Sequence, residues 1–230
     1  MTRISRNNIR RLIVAVLGGT LFASLGVSLS GNAGHADRPI ATTAAEARPL
    51  AVGERAPTFQ VRTVDGESMR FDPESLAKPT ILISFRGGWC PYCNTHLSEL
   101  RHVLPEIQKL GVDVFFLSGD RPDQLYKSLE ADTQQDIDGR DYTILSDADA
   151  NAAVALGIAF RASERTINRR HQKGQDIEGS SMSRHKVLPV PAVFAIDLSG
   201  KIAFAFSNPD YKVRLPANEL LEVARNMVQQ

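Results

Sequence analysis

Two cysteines three positions apart, Cys90 and Cys93, are the residues in this chain best suited to do chemistry. They are the only cysteines, and the only tryptophan, Trp89, stands directly before them in Phe85-Arg86-Gly87-Gly88-Trp89-Cys90-Pro91-Tyr92-Cys93-Asn94. A thiol becomes a nucleophile by ionising. At a helix start, unpaired N–H groups and the positive end of the dipole bring a cysteine pKa from about 8.5 down to roughly 3.5–7.5. Pro91 suits the first helical position, where no N–H is needed. Cys90 then falls at the cap, and Cys93 lies one turn deeper on nearly the same face, within reach of a mixed disulfide on Cys90. The pattern is that of a thiol–disulfide centre that needs no metal and no organic cofactor. A purely structural disulfide closing so short a loop would restrain the unfolded chain very little.

The elements that position this pair follow from periodicity. The apolar run Thr80 to Phe85 predicts a buried strand leading into the cysteines. A helix then runs to about Leu110, with Leu97, Leu100, Leu104 and Ile107 on its buried face and a bend at Pro105. Upstream, alternation on either side of Asp65-Gly66 predicts a β-hairpin over 57–71. Downstream, the pattern predicts a strand over 112–118 buried on both faces, a helix from Asp123 to about Glu130, and a strand over 142–146. Asp147 is expected to cap a helix from Ala148 to Leu156. Leu188 to Asp197 reads as a strand that turns at Leu198-Ser199-Gly200 into a second strand, Lys201 to Phe206. An amphipathic helix from Ala217 to about Val228 closes the chain. Residues 161–186 are polar and basic and predict a long mobile loop, either simply solvated or forming a rim that attracts an acidic partner or keeps a thiolate ionised. The fold class is α/β: a thioredoxin-like central mixed β-sheet flanked by helices, with an N-terminal β-hairpin.

The chain has 230 residues, 43% hydrophobic and 23% charged, with a formal net charge of +1. That suits one globular domain with extras and gives no sign of a nucleic-acid partner. The charge is unevenly placed. Residues 1–36 carry Arg3, Arg6, Arg10 and Arg11 and no acid, and an apolar run follows from Leu12 to about Leu29. Small residues from Gly31 to Ala36 offer cleavage after Ala33 or Ala36. Residues 1–36 therefore read as a signal peptide or, if uncleaved, a membrane anchor through residues 12–29. The Arg10-Arg11 pair lacks the flanking pattern of a twin-arginine signal. Either reading predicts export to the periplasm or another extracytoplasmic compartment. Residues 37–54 predict a flexible linker, and 55–230 the folded domain. A dithiol reductant in an oxidising compartment needs a thiol or membrane reductant partner to keep it reduced.

With these residues in view, the chain resembles the peroxiredoxin-like branch of the alkyl hydroperoxide reductase/thiol-specific antioxidant family, within the thioredoxin superfamily. The resemblance rests on Ala56-Pro57-Thr58-Phe59, the Asp65-Gly66 hairpin, the cysteine segment, Leu117-Ser118-Gly119-Asp120, Leu188 to Phe194, and Asn208 to Arg214. It implies that Pro191 is the family's cis-proline, beside the cysteines, presenting the backbone of Val190 to a substrate. One departure stands out. The peroxiredoxin pattern Pro-x-x-x-Thr-x-x-Cys places its reactive cysteine on Cys93, its threonine on Cys90 and its proline on Arg86. A second thiol replaces the hydroxyl that orients the peroxide, and the Arg86 guanidinium could stabilise a thiolate, polarise a peroxide or simply be solvated.

Two roles for the thiols follow. Either Cys90 attacks and Cys93 resolves, as in thioredoxins, or Cys93 is oxidised to sulfenate and Cys90 condenses with it. The expected activity is reduction of hydroperoxides or protein disulfides through a Cys90/Cys93 cycle. The alternatives are a disulfide reductase with little peroxidase activity and a non-enzymatic copper-handling module. Trp89 is expected to pack over the loop and shield it, and Tyr92 to be partly exposed. His96 could join the cysteines as a third metal ligand, but tetrahedral zinc needs four. His171 or His185 would be the distant histidine of a copper site; Asp113 reads as an edge carboxylate or a buried proton acceptor, and His35 and His102 have no special role.

Overall fold

The structure, a computed structural model, describes residues 38–140 and 142–229. The expected signal or anchor lies outside the described residues. The core is a seven-stranded mixed sheet in the order β2-β1-β5-β4-β3-β8-β9. Its strands are β1 (Phe59–Arg62), β2 (Ser68–Phe71), β3 (Thr80–Phe85), β4 (Asp113–Ser118), β5 (Thr143–Ser146), β8 (Ala192–Ile196) and β9 (Ile202–Ser207). A separate antiparallel ribbon pairs β6 (Ala159–Arg161) with β7 (Val187–Pro189). The helices are α1 (Pro91–Leu100), α2 (Leu104–Lys109), α3 (Ala131–Ile137), α4 (Asn151–Ala155), α5 (Glu164–Gln172), α6 (Ser181–His185) and α7 (Ala217–Met227).

The central strand β3 is buried along its whole length, as its unbroken apolar run demands. It pairs parallel with β4, register Phe85↔Ser118, and antiparallel with β8, register Ser84↔Ala192. The loops that leave β3 and β4 therefore emerge side by side at one end of the sheet. That end of an open α/β sheet is where catalytic groups usually collect. The expected hairpin forms with Phe59 opposite Phe71, their rings stacked at 4.8 Å.

Several expected elements differ, each for a physical reason. The long cysteine helix is two helices, because Pro105 has no N–H to give to the carbonyl of Arg101 and the chain turns between them. Pro122 to Gln124 forms only a 3-10 turn, and the expected 123–130 helix is replaced by α3 beginning at Ala131. Glu130 is extended at the N-cap of α3, where its N–H is taken by Asn94 Oδ1. Asp147 does accept N–H bonds from Ala152 and Ala153, but α4 is shorter than expected, Asn151–Ala155. Leu188 to Asp197 is not one strand: β7 joins the ribbon and β8 the main sheet, with Val190-Pro191 at the changeover.

Two larger corrections concern segments read as mobile. Residues 38–54, expected as a flexible tether, lie against the domain. Ala41 exchanges backbone bonds with Ala159 and Arg161, Arg48 and Leu50 donate to Gly157 and Leu156, and Leu50 is 1% exposed. Residues 161–186, expected as a loop, hold α5 and α6, each capped by a serine: Ser163 accepts from Thr166 N–H and Ser180 from Ser183 N–H.

Candidate active site

The cysteine loop is fixed from both sides before its chemistry begins. From the loop after β4 comes Asp120, whose Oδ2 accepts the Gly88 N–H at 2.7 Å and the Ser128 hydroxyl at 2.8 Å. Burial raises this carboxyl to about 6, against the pull of those two bonds. Gly87 adopts φ +144°, and a Cβ there would stand 2.6 Å from Asp120 Oδ1. At Gly88 a Cβ would meet Ser128 Oγ at 2.2 Å and the backbone N of Leu129 at 2.6 Å. The two glycines are what let this loop press against the next one. From α1, buried Asn94 donates to the carbonyls of Gly88 (2.7 Å) and Cys90 (3.1 Å).

Cys90 is the N-cap residue of α1, followed by Pro91 at its first position. Both cysteines are free thiols with almost no exposed area. Their surroundings differ. Cys90 lines a cleft of about 280 Å³ together with Arg86, Trp89, Tyr92, Arg170 and Tyr211; Cys93 does not. The Cys93 thiol hydrogen-bonds to the Cys90 sulfur and brings Cys90 down to about 6; burial opposes this, while the Cys93 N–H, Arg214 and Arg86 reinforce it. Cys93 is pushed well up, first by complete burial and then by donating its proton to Cys90. Arg214 Nη2 lies 3.6 Å from Cys93 Sγ and works against that rise. The two thiols titrate as a pair, with Cys90 shifted down and Cys93 shifted up.

Arg86 is not a solvated loop arginine. Its guanidinium lies 4.3 Å from the ring centroid of Tyr211 and 5.4 Å from that of Phe160, and its buried Nε has no partner. Burial holds its pKa below the usual arginine range, while the two sulfurs pull it back up. Trp89 is buried, as expected, under Arg170 at 4.7 Å. Gln175 completes this bracket, donating to the Trp89 carbonyl at 3.0 Å and accepting from Arg170 at 3.1 Å. Tyr92 is 41% exposed and meets Tyr211 edge-on at 5.5 Å.

Val190 and Pro191 are buried one step beyond the Ser84↔Ala192 pair, outside the cleft lining. The Val190 N–H is given to the Ile158 carbonyl at 2.8 Å, so that donor is already engaged rather than turned to a substrate. His96 is buried and bonds through Nε2 to the Leu215 carbonyl at 3.1 Å; burial lowers it to about 4, so it is neutral and carries its proton on Nε2. Asp113 pairs with Lys78 at 3.2 Å, half exposed, which excludes the buried-acceptor role. His185 stands 3.9 Å from Asp149. Among the described residues no group of three His, Cys, Asp or Glu side chains is arranged to hold a metal ion.

Sequence reasoning passed over Arg214, Tyr211, Arg170, Asn94, Asp120 and Gln175. Tyr211 and Arg214 do lie in the Asn208–Arg214 segment that carried part of the resemblance, and Asp120 in Leu117–Asp120. Arg170 lies in the 161–186 segment, for which a basic rim is one of the two expectations.

The AhpC/TSA family profile matches residues 52–205, which include both cysteines, Arg86, Asp120, Arg170 and Pro191. Peroxiredoxin Bcp of Escherichia coli K12 is 27% identical over 110 residues, 48% of this chain and 66% of that protein. The fold is similar to that of a peroxiredoxin-like protein from Aquifex aeolicus (TM-score 0.59, 19% identity, covering 78% of this chain and 89% of that one). Peroxidoxin BcpB of Mycobacterium tuberculosis is similar at TM-score 0.55 and 18% identity, over 78% of this chain and 97% of that one. With its family profile spanning most of the chain and its dithiol at the end of the central strand, this protein belongs to the AhpC/TSA family.

Proposed function

We propose that this protein is a thiol-dependent oxidoreductase that reduces hydroperoxides, with Cys90 as the attacking thiolate and Cys93 as the resolving thiol. The asymmetry of the two sulfurs carries this reading: Cys90 opens on the cleft with its pKa lowered to about 6, and Cys93 is enclosed below and holds its proton. The Cys90 thiolate attacks the terminal peroxide oxygen. The O–O bond breaks, the leaving alkoxide takes a proton and departs as the alcohol, and Cys90 becomes a sulfenic acid. Cys93 then attacks the Cys90 sulfur, its proton leaving with the hydroxyl as water, and a disulfide remains. Arg214 favours the thiolate that Cys93 must become in that step. Two external thiols then return the pair to the reduced form, oxidised in turn to a disulfide.

A second reading, a protein-disulfide reductase with little peroxidase activity, is favoured by one observation. Cys90 occupies the position of the family's threonine and Arg86 that of its proline, which removes the usual peroxide-orienting hydroxyl. The same Cys90-first order serves disulfide exchange. Export rests on the basic, apolar N-terminal segment; the reductant would then be an extracytoplasmic thiol or a membrane partner. The test is stopped-flow mixing of reduced full-length chain with hydrogen peroxide, an organic hydroperoxide or a disulfide. Peroxide oxidation far faster than that of a free thiol supports the peroxidase. Peroxide reaction at the free-thiol rate together with fast disulfide reduction would replace it with the reductase.

A further inference from the structure

The helix over the cysteine cleft carries an uncompensated positive face. Thr166, Arg169, Arg170 and Lys173 all line the cleft, at the spacing i, i+3, i+4, i+7 that marks one side of a helix. With Arg86 opposite, the cleft has four cationic side chains and no acidic one. Among the described residues, none of these four forms an ion pair. Arg86 and Arg170 are occupied by aromatic faces, while Arg169 and Lys173 are exposed. The one acid on the same helix, Glu164, pairs with Lys186, away from the cleft lining. Burial and the like charge of Arg169 hold the Arg170 pKa down, and only Cys90 and Tyr211 pull it back up. Neutralising the thiolate does not account for all of this charge, since Arg86 and Arg214 already serve both sulfurs.

We infer that the cleft selects an anionic substrate: a hydroperoxide or disulfide whose carboxylate docks on Arg169 and Lys173 while its reactive oxygen or sulfur reaches Cys90. The inference rests on the cleft being where Cys90 meets its substrate. The guanidinium of Arg169 offers a carboxylate a bidentate partner and Lys173 a point charge one turn further along. Exposed charges at the rim steer an anion inward and are screened by salt over about 8 Å at physiological ionic strength.

Binding and chemistry can be read apart. Trp89, the only tryptophan, lies at the cleft beneath Arg170, so its fluorescence reports occupancy. Full-length reduced protein is titrated with N-acetyl-S-methylglutathione, an unreactive dicarboxylate, and with its neutral diamide. The expected result is saturable binding of the acid alone, weakened by added salt and reduced roughly three- to tenfold in Arg169→Gln/Lys173→Gln. Arg165→Gln, on the same helix but outside the cleft, should bind as the parent does. Equal response to acid and diamide, or no change in the double variant, overturns the inference. Matched carboxylate and neutral hydroperoxides, and matched disulfides, then show which reactant carries the anion, through an acid-to-neutral rate ratio above one that collapses in the double variant. If the acid binds as expected but neither reactant oxidises Cys90, the catalytic reading fails and the anion site stands.

Discussion

Arg214 Nη2 stands 3.6 Å from Cys93 Sγ, although 121 residues separate them in sequence. The contact places a fixed cation against the thiol that is deepest in the protein. It favours the thiolate at both sulfurs, which burial and their mutual hydrogen bond set apart. Cys90 is the more acidic and faces the cleft, while Cys93 is costly to ionise until Cys90 has reacted.

The first expectation is a pH profile. Cys90 alkylation by a neutral reagent should rise with pH around a midpoint near 6, well below that of a free thiol. The Cys93 hydrogen bond is the first cause of that depression, so Cys93→Ala should move the midpoint up toward about 8.5. Ultraviolet thiolate absorbance against pH measures both.

Arg214→Met retains length and removes the charge. Its loss should raise the Cys90 midpoint by about half to one unit and slow its alkylation at pH 6 several-fold. The thermal midpoint of the variant shows whether the fold is retained.

Asn94→Ala removes two donors from loop carbonyls and one acceptor from the Glu130 N–H, all in a buried setting. Unfolding in urea should show a loss of about 2–4 kcal/mol. Gly88→Ala, whose Cβ would press on Ser128 and the Leu129 backbone, should cost about 2 kcal/mol or more and slow thiol chemistry by displacing the loop.

Asp120 links loop stability to pH. Its carboxyl is raised from 3.8 to about 6, so folding favours the protonated form. Its contribution is complete below about 4 and is lost as pH rises through about 6. Unfolding free energy should fall by on the order of 2 kcal/mol across that window, and Asp120→Asn should flatten that part of the slope. Asp147, raised to about 7, keeps its own share of the slope in the variant.

Much of the sheet and the thiol pair was legible in the sequence, because β3 is an unbroken apolar run and the Asp65-Gly66 hairpin alternates cleanly. The α5 segment was not. Ile167 is its only buried residue, and it holds to the domain through Arg170 on Trp89 and Gln175 on the Trp89 carbonyl, contacts that leave no apolar period. Residues 38–54 docked through backbone bonds, which composition does not record. The thiol's charge partner Arg214 and the loop anchor Asp120 were hidden for a similar reason: they reach the cysteine segment only through the fold.

The most direct test of the central assignment is to locate the first oxidised sulfur. Reduced full-length chain, Cys90→Ser and Cys93→Ser are each given one equivalent of hydroperoxide, quenched with a sulfenic-acid trap and mapped by mass spectrometry. The account predicts a trapped adduct on Cys90 in Cys93→Ser, a Cys90–Cys93 disulfide in the parent, and no fast oxidation in Cys90→Ser. Rapid adduct formation on Cys93 in Cys90→Ser would contradict it and make the deeper thiol the one that meets the peroxide.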